Sequence, residues 1–214
     1  TVKTLERTIN HDVKAVEYYL KKKLEKTSLK KHLEFIHFAC TSEDINNLAY
    51  GLMLKGAMKD VMLPAFEKLN KKIVQLAKTW RRVPMLALTH GQPASPTTVG
   101  KEFLVFQKAL EHQISSLKKQ EFFGKCNGAT GNFNAHIVAY PKVNWLKLSK
   151  NFVQNLGLTW NSVTTQIEPH DYMAELFDNL RRANIVLLDL DRDLWLYISR
   201  GVFRQKPKAG EVGS

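Results

Sequence analysis

Long stretches of this chain carry apolar side chains at steps of three and four residues, the spacing of one face of an α-helix. The first stretch begins near Ile45 and ends near Trp80. Because Pro64 within it removes a helical hydrogen bond, we expect a kink or a restart near Leu63. The positions predicted to form its buried face are Ile45, Leu48, Leu52, Met58, Val61, Ala65, Leu69, Ile73, Leu76 and Trp80.

Two further stretches show the same periodicity and exceed the usual helix of about three turns. Helices of this length bury their apolar faces against one another or against copies of the chain, so the pattern predicts an all-α, long-helix bundle that is oligomeric. The second predicted face carries Val99, Phe103, Phe106, Leu110, Ile114 and Leu117. The third carries Met173, Phe177, Leu180, Ala183, Leu187, Leu190, Leu194 and Tyr197.

Polar connectors rich in glycine and asparagine separate these stretches. Binding and catalytic side chains favour such loops on a rigid scaffold, so we expect a site at the ends of the bundle. The connector at 88–98 is expected to be a helix-to-helix turn around Gly91 and Pro93. The connectors are residues 37–47, 88–98, 125–136, 160–171 and 204–214.

Composition narrows the class of protein. Hydrophobic residues make up 44% of the chain and charged residues 24%, which is typical of a soluble globular protein. No apolar run reaches the ~20 residues that span a bilayer, and no signal peptide opens the sequence, so no membrane association is indicated. Cys40 and Cys126 stand far apart without ligand-like spacing, which predicts neither a metal site nor a disulfide framework and favours a cytoplasmic location.

The net charge of +12 favours an anionic partner. Nucleic acid, a membrane surface and an anionic metabolite all fit the charge alone. Much of the excess lies in residues 21–32, where the lysines lack the aromatic interleaving of a nucleic-acid-binding motif. No nucleic acid is therefore expected as a partner.

Two polar segments lie where helices are predicted to begin. In the segment Asn10–Asp12, an Asn or Asp side chain would cap the following helix, and the alternative is a role in a binding pocket. Thr41 and Asp44 match a capping box for the next long helix. Thr41 and Ser42 also bring two hydroxyls to a helix N-terminus, which suits a bound carboxylate.

Two other connectors hold candidate acid–base groups. The turn does not require Thr89 or His90, and a histidine exchanges a proton near neutral pH, so His90 is either an incidental loop residue or an acid–base group. Gln166, Glu168 and His170 precede the last long helix. Glu168 has the chemistry to orient a histidine by hydrogen bonding.

Six segments, taken in order, closely resemble the adenylosuccinate lyase family of the fumarase/aspartase superfamily, most of all its bacterial-type members. The resemblance covers essentially all 214 residues, with matching spacings. Argininosuccinate lyase and fumarase share the layout but not the motifs of the second and fifth segments. The segments are NHDVKAVEYYL, FIHFACTSEDINN, LTHGQPASPTTVGKE, GKCNGATGNFNAH, TTQIEPHDYMAELFD and QKPKAGEVGS.

The resemblance implies an all-α fold in which residues 1–214 form the central helical lyase domain, with the flanking N-terminal and C-terminal domains absent from this chain. It implies a homotetramer whose helices pack into a core bundle and whose active sites are shared between chains. The implied partner is a small anionic nucleotide substrate. No metal and no organic cofactor is implied.

The family's reaction is a β-elimination that releases fumarate. Adenylosuccinate gives AMP, and the succinylcarboxamide purine intermediate SAICAR gives AICAR. Breaking the carbon–nitrogen bond needs an acid for the nitrogen and a base for the carbon-bound proton; by resemblance these are His90 and Ser214. The positions matched by resemblance to substrate binding are Asn10, His11, Asp12, Thr41, Ser42, Thr89 and Gln166.

Two alternatives stay open. One is a lyase of the same superfamily for another succinyl-type substrate such as argininosuccinate, which a comparison of the two substrates separates. The other is a non-catalytic helical scaffold. The presence of both His90 and Ser214 argues against that reading, because a scaffold does not need an acid and a base.

Overall fold

Helices dominate the structure, a computed structural model that describes residues 1–206 and 208–210, and the predicted all-α class is confirmed. Its strands are short and form two-stranded pairs. The α-helices of the described residues are α1 (Val2–Ile9), α2 (Asp12–Leu24), α3 (Ser42–Ala57), α4 (Leu63–Thr79), α5 (Val99–Lys118), α6 (Asn134–Ala139), α7 (Trp145–Asn155) and α8 (Asp171–Ser199). The strands are β1 (Pro84–Thr89), β2 (Gln92–Thr98), β3 (Phe123–Gly124) and β4 (Thr159–Trp160).

The chain divides into two compact units. Unit 1 comprises Thr1–Met58 and Glu121–Met173, and unit 2 comprises Lys59–Gln120 and the described residues from Ala174 onward. A 3₁₀ helix at Ser28–His37 belongs to unit 1. Among the described helices, none is long and apolar enough to cross a bilayer.

The first predicted helical stretch restarts where expected. Helix α3 ends at Ala57, a π-helical turn spans Met58–Met62, and α4 begins at Leu63 with Pro64 in its first turn. Proline is tolerated there because its missing N–H would have no partner in a first turn. The wider π-helical turn lets the chain continue without the hydrogen bond that proline removes.

The buried faces agree with the periodicity in unit 2 for α5 and only partly for α4. Five of the six predicted positions on α5 are buried, and the sixth, Phe106, is half-buried. On α4 the buried residues are Phe66, Ile73 and Ala77, and they face α5. The prediction was wrong for Leu69, which stays exposed because α4 has a second apolar face without a partner among the described residues.

Apolar side chains remain exposed on other predicted faces too. The predictions for Ile45 and Leu52 in unit 1 were therefore wrong, as was that for Phe177 in unit 2. Val61 is 62% exposed. The physical reason is the same: periodicity marks which side of a helix is apolar but not whether the same chain covers it.

The connector at 88–98 is a β-hairpin, which corrects the expected helix-to-helix turn. Strands β1 and β2 pair in antiparallel register, with Thr89 opposite Gln92. His90 and Gly91 form the two-residue loop between them, with φ of 53° and 74°. Positive φ at both loop residues is the type I′ geometry, whose twist matches that of the strands. Glycine adopts it freely, whereas histidine in this region costs about 1–2 kcal/mol.

Candidate active site

A buried carboxylate organises the N-terminus of α3 in unit 1. Asp44 is fully buried, and its carboxylate accepts the backbone N–H of Thr41 at 2.9 Å. This is the hydrogen bond that Asp44 contributes to a capping box, which confirms that prediction. The carboxylate also accepts the N–H groups of Asn127 at 3.0 Å and Gly128 at 3.1 Å. One side chain therefore joins the start of α3 to the loop at 125–128.

Lys125 completes this arrangement. Its Nζ lies 2.9 Å from Asp44 Oδ1, and both side chains have no exposed surface. The ammonium also donates to the carbonyl oxygen of Gly128 at 3.3 Å. The Lys125 backbone pairs with the side-chain amide of Asn47 through two hydrogen bonds of 2.8 and 3.0 Å. Sequence reasoning missed this lysine, because no motif links position 125 to position 44.

His11 caps helix α2. Its Nδ1 accepts the backbone N–H of Lys14 at 3.3 Å, so the N-cap is His11 rather than Asn10. The Asp12 carboxylate accepts the Val13 N–H at 2.8 Å, which confirms the expected use of an Asp side chain on a free helix amide. Because Nδ1 accepts, the neutral ring carries its hydrogen on Nε2.

The same imidazole reaches the start of α3. Its Nε2 lies 3.5 Å from Ser42 Oγ, a long hydrogen bond in which the ring donates. Beside it, Gln166 Nε2 donates to Thr41 Oγ1 at 3.2 Å. His11, Ser42, Thr41 and Gln166 come from three separate segments of the sequence, and we call them the α3 cluster. The free amides and positive dipole of a helix N-terminus make this a favourable place for a carboxylate.

A second histidine anchors the loop that carries Gln166. The Nε2 atom of His170 lies 2.9 Å from Glu43 Oε1 on α3, and its Nδ1 lies 3.2 Å from Glu168 Oε2. The buried Glu168 also accepts from Asn161 Nδ2 at 3.0 Å. The histidine that Glu168 contacts is therefore His170. Burial, and then the charges of Glu168 and Glu43, raise the pKa of Tyr172 to about 12, so this neighbouring phenol stays protonated.

Gly131 allows this loop to approach the 125–136 segment. Its φ is +81°, and a Cβ there would collide with the carbonyl oxygen of Thr164. Close to it, Asn127 Nδ2 donates to Thr164 Oγ1 at 2.8 Å. A glycine is required at 131 on both grounds, and the contact holds the segment just before Gln166.

An open cavity of about 750 Å³ lies beside His11. Asn10 lies at the turn that follows α1 and borders this cavity. It ends α1 in the left-handed conformation that asparagine tolerates, with φ of 53°. Sequence reasoning did not single out Arg7 and Lys3, which bring positive charges to the wall. The Lys3 ammonium is paired with the Glu6 carboxylate at 2.6 Å. The lining residues are Lys3, Glu6, Arg7, Asn10, His11 and Asp12.

The remaining predicted residues lie elsewhere in the chain. Thr89 and His90 are in unit 2, at the tip of the β1–β2 hairpin, and both are exposed. Ser214 lies outside the described residues. Unit 1 thus brings together Asn10, His11, Asp12, Thr41, Ser42 and Gln166.

Comparisons with known proteins identify relatives of this chain. A family model described as lyase matches residues 1–214. Adenylosuccinate lyase of Haemophilus influenzae is 54% identical over 214 residues, which are 100% of this chain and 47% of that protein. Adenylosuccinate lyase of Escherichia coli is 56% identical over the same shares of each chain. This chain therefore spans about half the length of the curated relatives it matches.

Solved structures show the same fold at low identity. A fumarate lyase from Mesorhizobium superposes with a TM-score of 0.79 at 20% identity, covering 92% of this chain and 44% of that one. A β-carboxy-cis,cis-muconate cycloisomerase from Acinetobacter calcoaceticus superposes with a TM-score of 0.77 at 18% identity, over the same shares. These similarities concern the fold alone.

Proposed function

This chain belongs to the lyase family of the fumarase/aspartase superfamily, and on that premise we propose that it has adenylosuccinate lyase activity. The reaction is β-elimination of fumarate from adenylosuccinate, giving AMP, and from SAICAR, giving AICAR. The observation that carries the proposal is the identity of about half of all residues to adenylosuccinate lyases along the whole chain. The α3 cluster supports it because its chemistry suits a dicarboxylate.

The succinyl group of the substrate is proposed to bind at the α3 cluster. Because the His11 ring donates to Ser42 Oγ, the Ser42 hydroxyl hydrogen is available for a substrate carboxylate. Gln166 uses one amide hydrogen on Thr41 and has a second to offer. Thr89 is proposed as a further contact to the same group.

The nucleotide end is proposed to bind in the cavity beside His11. Asn10 and Asp12 line it and offer hydrogen-bonding groups of both kinds. Arg7 carries charge opposite to that of a phosphate, whereas Lys3 is paired with Glu6. A positive field also favours the capture of a multiply charged anion, in line with the net charge of +12.

His90 is the proposed acid and Ser214 the proposed base. The base takes the proton from the carbon next to a carboxylate, and the resulting negative charge spreads onto that carboxylate. Hydrogen-bond donors aimed there, such as Ser42 and Gln166, stabilise the carbanion more than the substrate. The acid then protonates the nitrogen as the carbon–nitrogen bond breaks.

We propose a cytoplasmic homotetramer with active sites shared between chains, in which residues 1–214 act as the central helical domain. Exposed apolar side chains on the long helices support this assembly, because single-chain proteins seldom leave so many uncovered. Among them, Trp195 is 72% exposed and Met53 is 60% exposed. The two free thiols fit a reducing compartment.

Fumarate release tests the activity. The protein, expressed at its natural length, is expected to release fumarate from adenylosuccinate and from SAICAR but not from argininosuccinate, with fumarate quantified by its ultraviolet absorbance and by chromatography. Release from argininosuccinate alone would establish the argininosuccinate-type alternative. A folded protein that releases fumarate from none of the three would favour the scaffold reading.

Gln166→Ala is expected to reduce kcat/KM for adenylosuccinate about 10- to 100-fold, the worth of one hydrogen bond to a charged group. Steady-state kinetics measure the loss. Gln154→Ala is the matched control, since Gln154 is also an exposed glutamine of unit 1 and lies on α7, away from the α3 cluster. Equal kinetics for the two variants would remove Gln166 from the site.

A further inference from the structure

Two cysteines meet beside the buried Asp44–Lys125 ion pair. Cys40 directly precedes Thr41, and Cys126 directly precedes Asn127. Both of those following residues donate their backbone N–H to the carboxylate of Asp44. The shared acceptor therefore brings the two cysteine backbones together, although they are distant in the sequence.

The sulfur atoms are correspondingly close. The Sγ of Cys40, the Sγ of Cys126 and a carboxylate oxygen of Asp44 all lie within 4.8 Å of one another. Both thiols are free, and both cysteines are half-buried. The spacing of the two cysteines in the sequence predicted neither a metal site nor a disulfide framework, and it gave no indication of this proximity.

A metal ion is a poor occupant for this trio. The Asp44 carboxylate already accepts three backbone N–H groups and the Lys125 ammonium, which leaves no oxygen lone pair free for a cation. The ammonium at 2.9 Å also repels a cation bound to the same carboxylate. Two thiols without a third ligand do not make a zinc site.

We propose that Cys40 and Cys126 form a reversible intramolecular disulfide when the protein meets a peroxide. The pair joins the residue before Thr41 to the loop held by Asp44. It is therefore a redox-sensitive link next to the α3 cluster.

The chemistry balances with hydrogen peroxide as the oxidant. The Cys40 thiolate attacks one peroxide oxygen, the oxygen–oxygen bond breaks, and the leaving hydroxide takes up a proton to become water. The resulting Cys40 sulfenic acid is attacked by the Cys126 sulfur, which forms the sulfur–sulfur bond. The hydroxide leaving from Cys40 combines with the Cys126 proton as a second water. Two thiols are oxidised and one peroxide is reduced.

The electrostatics assign the two roles. A hydrogen bond from Cys126 lowers the pKa of the Cys40 thiol and outweighs burial and the Asp44 charge, which raise it; the Lys125 ammonium lowers it further. The same hydrogen bond, together with burial, raises the pKa of Cys126. Cys40 is thus the thiolate that meets the oxidant, and Cys126 is the resolving thiol.

The link is expected to change the α3 cluster. A disulfide needs about 2.05 Å between the sulfur atoms, so residues 40 and 126 must shift toward each other. Thr41 follows Cys40 directly, and its hydroxyl accepts from Gln166. This consequence rests on the proposed function, because a displaced Gln166 would lose the hydrogen bond that it is proposed to donate to a substrate carboxylate. Fumarate release from the oxidised protein is therefore expected to fall at least about tenfold, the effect of losing one hydrogen bond to a charged group.

The crosslink is tested without reference to activity. The reduced protein at its natural length is treated with a small molar excess of hydrogen peroxide and then alkylated. Before alkylation, intact mass is expected to fall by two hydrogen atoms. After alkylation, peptide mapping is expected to join the peptides of Cys40 and Cys126. Dithiothreitol added before alkylation should reverse both changes. In Cys126→Ser, the sulfenic acid at Cys40 should persist and react with dimedone. Recovery of both peptides in alkylated, unlinked form would overturn the proposal.

Controls separate the other outcomes. Cys40→Ser and Cys40→Ala should neither crosslink nor trap dimedone at Cys126, and their thermal unfolding shows whether they remain folded. Stoichiometric zinc binding that protects both thiols from alkylation would overturn the proposal in favour of a metal site. A crosslink with unchanged fumarate release would refute only the effect on the α3 cluster. Absence of fumarate release from the reduced protein would refute the proposed function while leaving the crosslink standing.

Discussion

His90→Asn is expected to lower kcat for adenylosuccinate by about 100- to 10,000-fold, the usual contribution of a positioned acid. KM should change little, because a proton donor acts mainly in the transition state. Asparagine is the informative replacement, since it tolerates the left-handed conformation that His90 adopts at φ of 53°. The type I′ hairpin is thereby preserved while the acid–base group is lost.

Steady-state kinetics of the natural-length protein measure this effect. The matched control is His112→Asn, because His112 is likewise an exposed histidine of unit 2 but lies on α5. Size-exclusion chromatography should show the same assembly state for the variants and the unmodified protein. Turnover of the His90 variant within a few-fold of the unmodified protein would show that another group supplies the proton.

Lys125→Met is expected to reduce the free energy of unfolding by about 3–5 kcal/mol, the cost of leaving one charge of a buried pair without its partner. Methionine preserves most of the side-chain length and removes only the charge. The carboxylate of Asp44 would keep its three backbone donors and lose the ammonium at 2.9 Å. Urea denaturation at constant protein concentration measures the change, because an assembly's stability depends on concentration.

Two further variants make this result specific. Lys108→Met removes an ion pair with Glu111 whose lysine is 68% exposed, and it is expected to cost far less, because water screens an exposed pair. The double variant Asp44→Asn with Lys125→Met should recover part of the loss, since no unpaired charge then remains buried. A loss for Lys125→Met as small as that of the control would mean that water or a rearrangement replaces the ammonium.

Local periodicity was sufficient for the helices, as α5 illustrates. Its apolar residues recur on one face, and a helix with such a face is stable wherever a partner surface exists. The restart at Leu63 was also predictable, because the effect of Pro64 on backbone hydrogen bonding is local. Leu69 shows the boundary of this reasoning: its exposure depends on which of two apolar faces of α4 meets α5.

The hairpin at 84–98 was missed for a related reason. Helical stretches flank it, and Gly91 with Pro93 reads equally well as a turn between helices. Residues 85–88 are all apolar, so no alternation of apolar and polar residues marks β1 in the sequence. The alternation of half-buried and exposed positions at Met85 and Ala87 appears only in the structure. The unfavourable φ of His90 has no sequence signal at all, because strand pairing imposes it.

The same limit applies to the candidate site: its residue types could be predicted, but the contacts among them could not. The residue types were recognisable from the sequence: hydroxyls at the start of α3, an amide at Gln166 and a histidine at His11. Their hydrogen bonds to one another join three distant segments. His11 was expected as a pocket residue, and its role as the N-cap of α2 emerged only with the backbone geometry of that turn.

The sequence by itself determined the helical class, the Pro64 restart and the candidate residues, because these depend on side-chain chemistry and on neighbours within a few positions. Only the tertiary structure decided that Asp44 binds Lys125 and the 125–128 loop, and that Cys40 meets Cys126. The physical reason is that these contacts are determined by burial. A carboxylate removed from water must gather donors from wherever the fold supplies them, and no local pattern specifies where those donors lie.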